Sequence, residues 1–303
     1  MSRIPHPLPS PLTPGPFSTS RALELGVSPE RLRRSDLRAA RHGVWIPAQL
    51  TLDELEVLKV VVRETEAAWI SHRTAGAARG LLLPVPESPL LHVSRPRGSR
   101  AIQRAGIIAH QRAVHPDELD EVCGVQVSRP ERMWLEFGQI FGIDDLVVLG
   151  DHLVRQPRVG LEGRDDPYTS LARLREVMER YPFTRGARRL REAITLIRMG
   201  SDSRPETLCR LSLVRAGLPE PALQIPLDPT DPYSFTADLG YPDARLAIQY
   251  DGAHHFTEPG RVRIARRNAA FEADGWTVFC VDGADLREGF HSLVERVRPR
   301  LEG

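Results

Sequence analysis

Lysine is almost absent from this chain of 303 residues: of 41 basic side chains, one is Lys59 and the other 40 are arginine. A site built on a lysine is therefore excluded everywhere except at Lys59, and so uniform a replacement reads as coding bias rather than as a local device. Cysteine is scarce as well. Cys123, Cys209 and Cys280 are far apart, odd in number and form no CxxC pair, so neither a disulfide framework nor a cysteine zinc cluster is indicated, and a reducing cytoplasm is expected. No apolar run approaches the roughly 18 residues of a membrane span, and the N-terminus lacks a signal-peptide core. No membrane partner is expected. Charge of one sign is lacking too: 41 basic against 40 acidic groups leave +1, so any basic footprint for nucleic acid must be local.

What is present suits a soluble globular protein, with 41% apolar and 27% charged residues. The length allows two or three domains of about 100–200 residues each. Residues 1–16 carry six prolines, Pro5, Pro7, Pro9, Pro11, Pro14 and Pro16, and read as an extended or disordered arm. Residues 17–50 change texture. Ser18 to Leu25 is a short helical pattern ended by Gly26, Ser28-Pro29-Glu30 starts a helix, Ser35-Asp36 opens a third, and His42 to Pro47 reads as a strand closed by proline. Helices followed by a strand are the skeleton of a winged helix-turn-helix. Arg31, Arg33, Arg34, Arg38 and Arg41 against the single acid Asp36 give five minus one, or +4. Arginines on a helix in the major groove can pair with phosphates or fork onto guanine; a solvated helical face is the plainer alternative. This segment resembles the N-terminal domain of AbiEi-type antitoxins, which implies an autoregulatory DNA-binding role, with a cognate toxin or self-association as the protein partner.

Residues 51–165 read as an α+β middle region. Leu52 to Glu66 is an amphipathic helix preceded by Thr51 as a cap, and His72 to Leu81 is a second helix with small packing residues. Strands are expected at Leu90–Ser94, Gly106–His110 and Gly124–Ser128, then a helix from Arg129 through Phe137. The order resembles the body of AbiEi-like proteins. His72, His92 and His110 fall on separate elements without ligand spacing, so ordinary polar or capping roles are expected of them. Residues 166–202 read as a helical linker, with helices at Leu171–Tyr181 and Ala187–Met199.

The stretch around which residues 203–303 are organised runs from Phe235 to His255. Its arms alternate with period two on either side of Gly240, Pro242 and Asp243, which supply turn chemistry. A loop centred on Pro242 and Asp243 puts Asp238 across from Ala247, with Asp238, Gln249 and Asp251 on one face and the apolar residues on the other. Upstream, Ser203 and Glu206 form a capping box. Downstream, Pro259 to Asp274 is a helix carrying Arg263, Arg266 and Arg267 on one arc, Trp276 to Cys280 is a strand, and Leu286 to Val297 is a closing helix.

Asp238, the turn, Gln249-Tyr250-Asp251-Gly252, His255, an Arg-rich helix and Gly275-Trp276 together resemble the endonuclease-like proteins related to very-short-patch repair nucleases, in the PD-(D/E)XK restriction-endonuclease-like superfamily. The resemblance implies an αβββαβ core within an α+β, α/β multidomain chain. It also implies Mg2+-dependent phosphodiester hydrolysis, with Asp238, Asp251 and Glu206 holding the ion and Gln249 and His255 beside it. Arg263, Arg266 and Arg267 would face the DNA backbone. Three positions depart from that pattern: Gln249 stands at the second acidic place, Ile264 where an Asp is common, and Cys280 where a basic residue is common. Asp251 occupies the lysine's place. Gln249 offers a carbonyl oxygen but no charge, so metal affinity should fall. The expectation is a DNA-binding protein with an endonuclease domain of weakened or lost activity. The alternative is a non-catalytic regulator that uses the nuclease fold as a platform.

Overall fold

The computed structural model describes residues 6–51, 53–81, 83, 90–158, 162–231, 233–252 and 258–302. The chain divides into two compact units, Met1–Glu136 and Phe137–Gly303. Among the described residues, no helix is long and apolar enough to cross a membrane.

In the first unit, β1 (Phe17–Ser18), α1 (Thr19–Glu24), α2 (Pro29–Leu32), β2 (Leu37–Arg41) and β3 (Val44–Pro47) form a small sheet of order β1-β3-β2 with two helices on it. The helix expected to open at Ser35-Asp36 is instead strand β2. Its cause is local: Asp36 is held by a two-pronged bond from Arg31, at 2.9 and 2.6 Å, rather than capping a helix. Leu37 then turns inward and the chain reverses into β3 at His42-Gly43. The proline-rich segment is not a free arm over its described part, because Leu12 is buried with Phe17, Ala22, Val27, Leu32 and Leu37. Residues 1–5 lie outside the described residues.

The rest of this unit comprises α3 (Glu54–Arg63), β4 (Trp69–Ile70), α4 (His72–Ala78), β5 (Leu91–Pro96), β6 (Ile107–Arg112), β7 (Leu119–Val122), β8 (Val125–Ser128) and α5 (Pro130–Phe137). Asp53, not Thr51, caps α3, accepting from the amides of Leu55 and Glu56. Strands run in the order β6-β5-β4-β8-β7, with β5–β6 and β4–β8 parallel. The two-residue β4 and the charged β7 carry too little alternation to be seen in the sequence.

The second unit begins with α6 (Ile143–Val154), α7 (Leu171–Arg180) and α8 (Ala187–Leu196). There follow α9 (Arg204–Arg215), β9 (Ala222–Pro226), β10 (Thr236–Tyr241), β11 (Leu246–Tyr250), α10 (Glu258–Ala273), β12 (Thr277–Val281), α11 (Gly283–Arg287) and α12 (His291–Glu302). The sheet order is β12-β11-β10-β9, antiparallel except for β11–β12. Helix, three strands, helix, strand is the expected order. The closing helix is broken, however, since Phe290 takes φ 61 between α11 and α12.

Two details of the hairpin differ from expectation. Leu239 pairs with Ile248 and Tyr241 with Leu246, so Asp238 lies across from Gln249, not Ala247. The turn spans Pro242 to Arg245 and is centred one residue further along than expected; Arg245 adopts the left-handed conformation and its amide bonds the Pro242 carbonyl at 2.9 Å. Nor do the apolar residues all share one face. Leu239, Tyr241, Leu246 and Ile248 pack with α9 and α12 residues Cys209, Leu213, Leu293 and Val297, whereas Ala237 and Ala247 pack with Ile225 and Phe271 on the α10 side. Covering both faces, as in a buried sheet, leaves only the strand ends for polar groups.

Candidate functional site

Four elements of the second unit deliver polar side chains to the end of this sheet where β10 begins and β11 finishes. Glu206 comes from the first turn of α9. Ser203 is the cap: its hydroxyl accepts from the Glu206 amide, while the Glu206 carboxylate accepts from the Ser203 hydroxyl at 2.8 Å and from the Asp202 amide at 2.9 Å. The expected capping box is thus present in a variant form, reaching back to Asp202. Glu206 is only 6% exposed.

Asp238 enters from β10. One carboxylate oxygen accepts from the Tyr250 amide at 2.7 Å, so this side chain stands in the ladder between the two arms. The other lies 3.4 Å from an Arg267 guanidinium nitrogen on α10. Directly opposite, the fully buried Gln249 turns its carbonyl oxygen toward the Asp238 amide at 3.4 Å. Gln249 Nε2, Asp251 Oδ1, Arg267 Nε and Asn268 Oδ1 are all buried without a hydrogen-bond partner among the described residues. Buried polar atoms are ordinarily satisfied, so such a concentration around one strand end points to a binding site. Asn268 also donates to Cys280 Sγ at 3.2 Å.

The electrostatics agree. Burial, reinforced by the nearby Asp238 charge, pushes the Glu206 carboxyl up to about 7. Burial likewise raises Asp238 above the usual carboxylate range, opposed chiefly by Arg267. At the rim, Arg158 pairs with Asp202 at 2.7 Å, and its charge also acts on Asp238. The site therefore concentrates buried carboxylates that its arginines offset only partly, the condition under which a bound cation is most favourable.

Of the residues singled out in sequence, Glu206, Asp238, Gln249 and Arg267 are brought together. Asp251 follows β11, its amide bonded to the Val281 carbonyl at 2.8 Å, and among the described residues Glu206, Asp238 and Asp251 do not bring a ligand oxygen each within 4.8 Å of the others. His255, with His254, lies outside the described residues. Arg267 turns inward to Asp238 instead of joining the outer arc, while Arg263 and Arg266 are exposed. Arg158, Asp202 and Asn268 were not legible in the sequence: the first two lie in loops without a motif, and Asn268 lies within an unremarkable helical run.

The N-terminal arginines do not form one helical face. Arg31 is tied to Asp36 and to the His6 carbonyl at 2.6 Å. Arg38 and Arg41 lie on strand β2, bonded to the Leu50 carbonyl and to Glu54, both at 2.8 Å. Arg33 and Arg34, at the end of α2, are exposed.

A second cluster corrects the sequence reading. His72, His92 and His110, from which only ordinary polar or capping roles were expected, come together in the first unit, each offering a nitrogen within 4.8 Å of the others. Spacing could not reveal this, because the β5–β6 pairing is parallel and set by tertiary contacts.

No protein-family model matches the chain. Two uncharacterized proteins of Mycobacterium tuberculosis, Rv2248 and MT2308 from a second strain, are each 29% identical to it over 119 residues. The match covers 39% of this chain and 44% of each relative, so it spans less than half the length of either.

Proposed function

We propose that residues 203–303 form a restriction-endonuclease-like domain that hydrolyses phosphodiester bonds in DNA with Mg2+, at reduced efficiency. The observation that carries this reading is the burial of Glu206 near Asp238 with a raised proton affinity at both, together with a buried, unpartnered Asp251 Oδ1 where β11 ends. Their oxygens are the hard donors that Mg2+ takes, and the αβββαβ order is that of the resembling superfamily. Glu206, Asp238 and Asp251 would hold the ion. When bound, it supplies neutralisation of phosphate charge and activation of water.

The chain's own residues have separable tasks. Gln249 Nε2, buried and unpartnered, donates to a phosphate oxygen. Arg267 holds Asp238 in place and meets charge that develops on the phosphate. Being an arginine, it supplies no proton at neutral pH. Gln249 in an acidic position lowers the charge available to the ion, which is why activity should be weak.

Incubating purified protein with plasmid and single-stranded DNA plus Mg2+ or Mn2+ tests this. Nicking is expected to vanish in Asp238→Ala and to rise in Gln249→Glu. Cutting by Asp238→Ala at the parent's rate would assign the cleavage to a contaminant and end the enzyme reading.

The regulator reading retains one supporting observation, the adjacent exposure of Arg33 and Arg34 just after α2. Arg33→Ala with Arg34→Ala should weaken DNA binding and flatten its salt dependence by about two phosphate contacts. Unchanged binding would remove this helix from the interface.

A further inference from the structure

The first unit holds a group of side chains that the nuclease reading does not use. His72 opens α4, His92 lies on β5 and His110 on β6. In the parallel β5–β6 register His92 stands beside Ile108 and Ser94 beside His110, which places the two histidines diagonally on one face. His92 Nδ1 and His110 Nε2 are 3.0 Å apart, and the His72 and His110 rings stack with centroids 3.8 Å apart.

The His72 ring is held from behind, and β5 is held at His92 by its backbone. His72 Nδ1 lies 3.0 Å from Ser71 Oγ and 3.7 Å from Glu136 Oε2, and the same carboxylate oxygen accepts from the His72 amide at 2.8 Å. Ser71 in turn accepts from Ser94 at 2.7 Å, and the His92 amide donates to Thr74 Oγ1 at 2.8 Å. A carboxylate and hydroxyls behind an imidazole fix its tautomer and direct the other nitrogen forward, as outer partners do at metal centres. Backbone strain points to the same place, since His72 takes φ 50, a left-handed conformation costly for a residue with a side chain. His72 is fully buried, and His92 and His110 are half-buried. Neutral imidazole is the form that ligates a metal.

We propose that His72 Nε2, His92 Nδ1 and His110 Nε2 form a transition-metal site of the Zn2+ class that pins α4 to strands β5 and β6. Three nitrogen donors select borderline metals such as Zn2+ over Mg2+ or Ca2+, which require oxygen. Tetrahedral ligands at about 2.0–2.1 Å from an ion stand roughly 3.3 Å apart, within the 4.8 Å that separates the three ring nitrogens; the 3.0 Å contact between His92 and His110 is a hydrogen bond that an ion would replace. Binding therefore requires the rings to turn out of the His92–His110 hydrogen bond and the His72–His110 stack so that their lone pairs converge. Glu136 stays behind His72 as a positioning residue, since its oxygens already accept from Ser128, Arg132 and the His72 amide. The fourth position is left to a small ligand such as water.

The experiment uses the full chain, stripped with EDTA and titrated with Zn2+ alone. Uptake of one ion per chain and a rise in melting temperature are expected. His92→Ala and His110→Ala should each weaken binding more than about 100-fold, and Glu136→Gln by about 10–100-fold. Asp238→Ala should bind Zn2+ like the parent, which separates this site from the proposed nuclease site. Absence of saturable uptake by the parent, or parent-like uptake by His110→Ala, overturns the proposal. If the alanine variants do not fold, Co2+ added to the parent decides. Intense visible bands of four-coordinate Co2+ support the site, and the pale spectrum of six-coordinate Co2+ overturns it.

Discussion

Glu206 serves two masters, and its proton affinity records the conflict. As the third residue of α9 it closes the helix start through Ser203 and Asp202; as a neighbour of Asp238 it carries a charge that burial disfavours, so its pKa rises from 4.5 to about 7. A raised carboxyl pKa means that the folded chain holds the proton more tightly than the unfolded chain. The electrostatic cost is thus absent below the unfolded pKa, accumulates as pH rises from about 4.5 to 7, and is complete above that. Glu206→Gln keeps an oxygen for the cap and removes the charge. It should stabilise the protein by about 2 kcal/mol at pH 8, with most of that gain absent at pH 5. Thermal denaturation of both proteins at the two pH values checks this, and an equal shift at both would show that charge is not the cause. The capping role was legible from Ser203 and Glu206 alone. The raised pKa was not, because it depends on burial and then on Asp238, 32 positions away, and only the fold supplies both.

At the scale of elements, the hairpin shows what alternation can and cannot specify. Period two located both arms within a residue or so, but register was left to the turn. Pairing Asp238 with Gln249 required Arg245 in a left-handed conformation, which its residue type does not announce. Gly240 belongs to the same constraint. A Cβ there would collide with the Leu246 carbonyl oxygen on the facing strand, so Gly240→Ala should cost about 2–3 kcal/mol by forcing the arms apart. Urea denaturation measures the loss, and a cost below 0.5 kcal/mol or so would show that the strands adjust freely. Strand β2 teaches the converse lesson. Arg31 and Asp36, read as groove-facing charge and helix opener, satisfy each other, and the backbone after them extends.

Considered whole, the chain carries two candidate ion sites of opposite chemistry in separate units: carboxylates in Phe137–Gly303 and imidazoles in Met1–Glu136. Ligand hardness makes their responses separable. Mg2+ and Zn2+ should each raise the melting temperature, Asp238→Ala should abolish only the Mg2+ shift, and His110→Ala only the Zn2+ shift. Calorimetric scans of the parent and both variants with each ion test this, and loss of both shifts in either variant would mean that the sites are not independent.

The sequence by itself determined the elements of the second unit: their order from helix α9 to strand β12, the cap at Ser203, and the identity of Asp238, Gln249 and Asp251 as the polar residues of a strand end. Those follow from local propensity and from periods of 2 and 3.6, which act within a few residues. Tertiary structure alone decided which groups meet. It turned Arg267 inward to Asp238, set Arg158 and Asp202 at the rim, broke the closing helix at Phe290 and gathered His72, His92 and His110. The reason is physical: strand pairing and helix docking are driven by burial of apolar surface, which is indifferent to sequence separation, so the polar groups carried along converge where no spacing rule could place them.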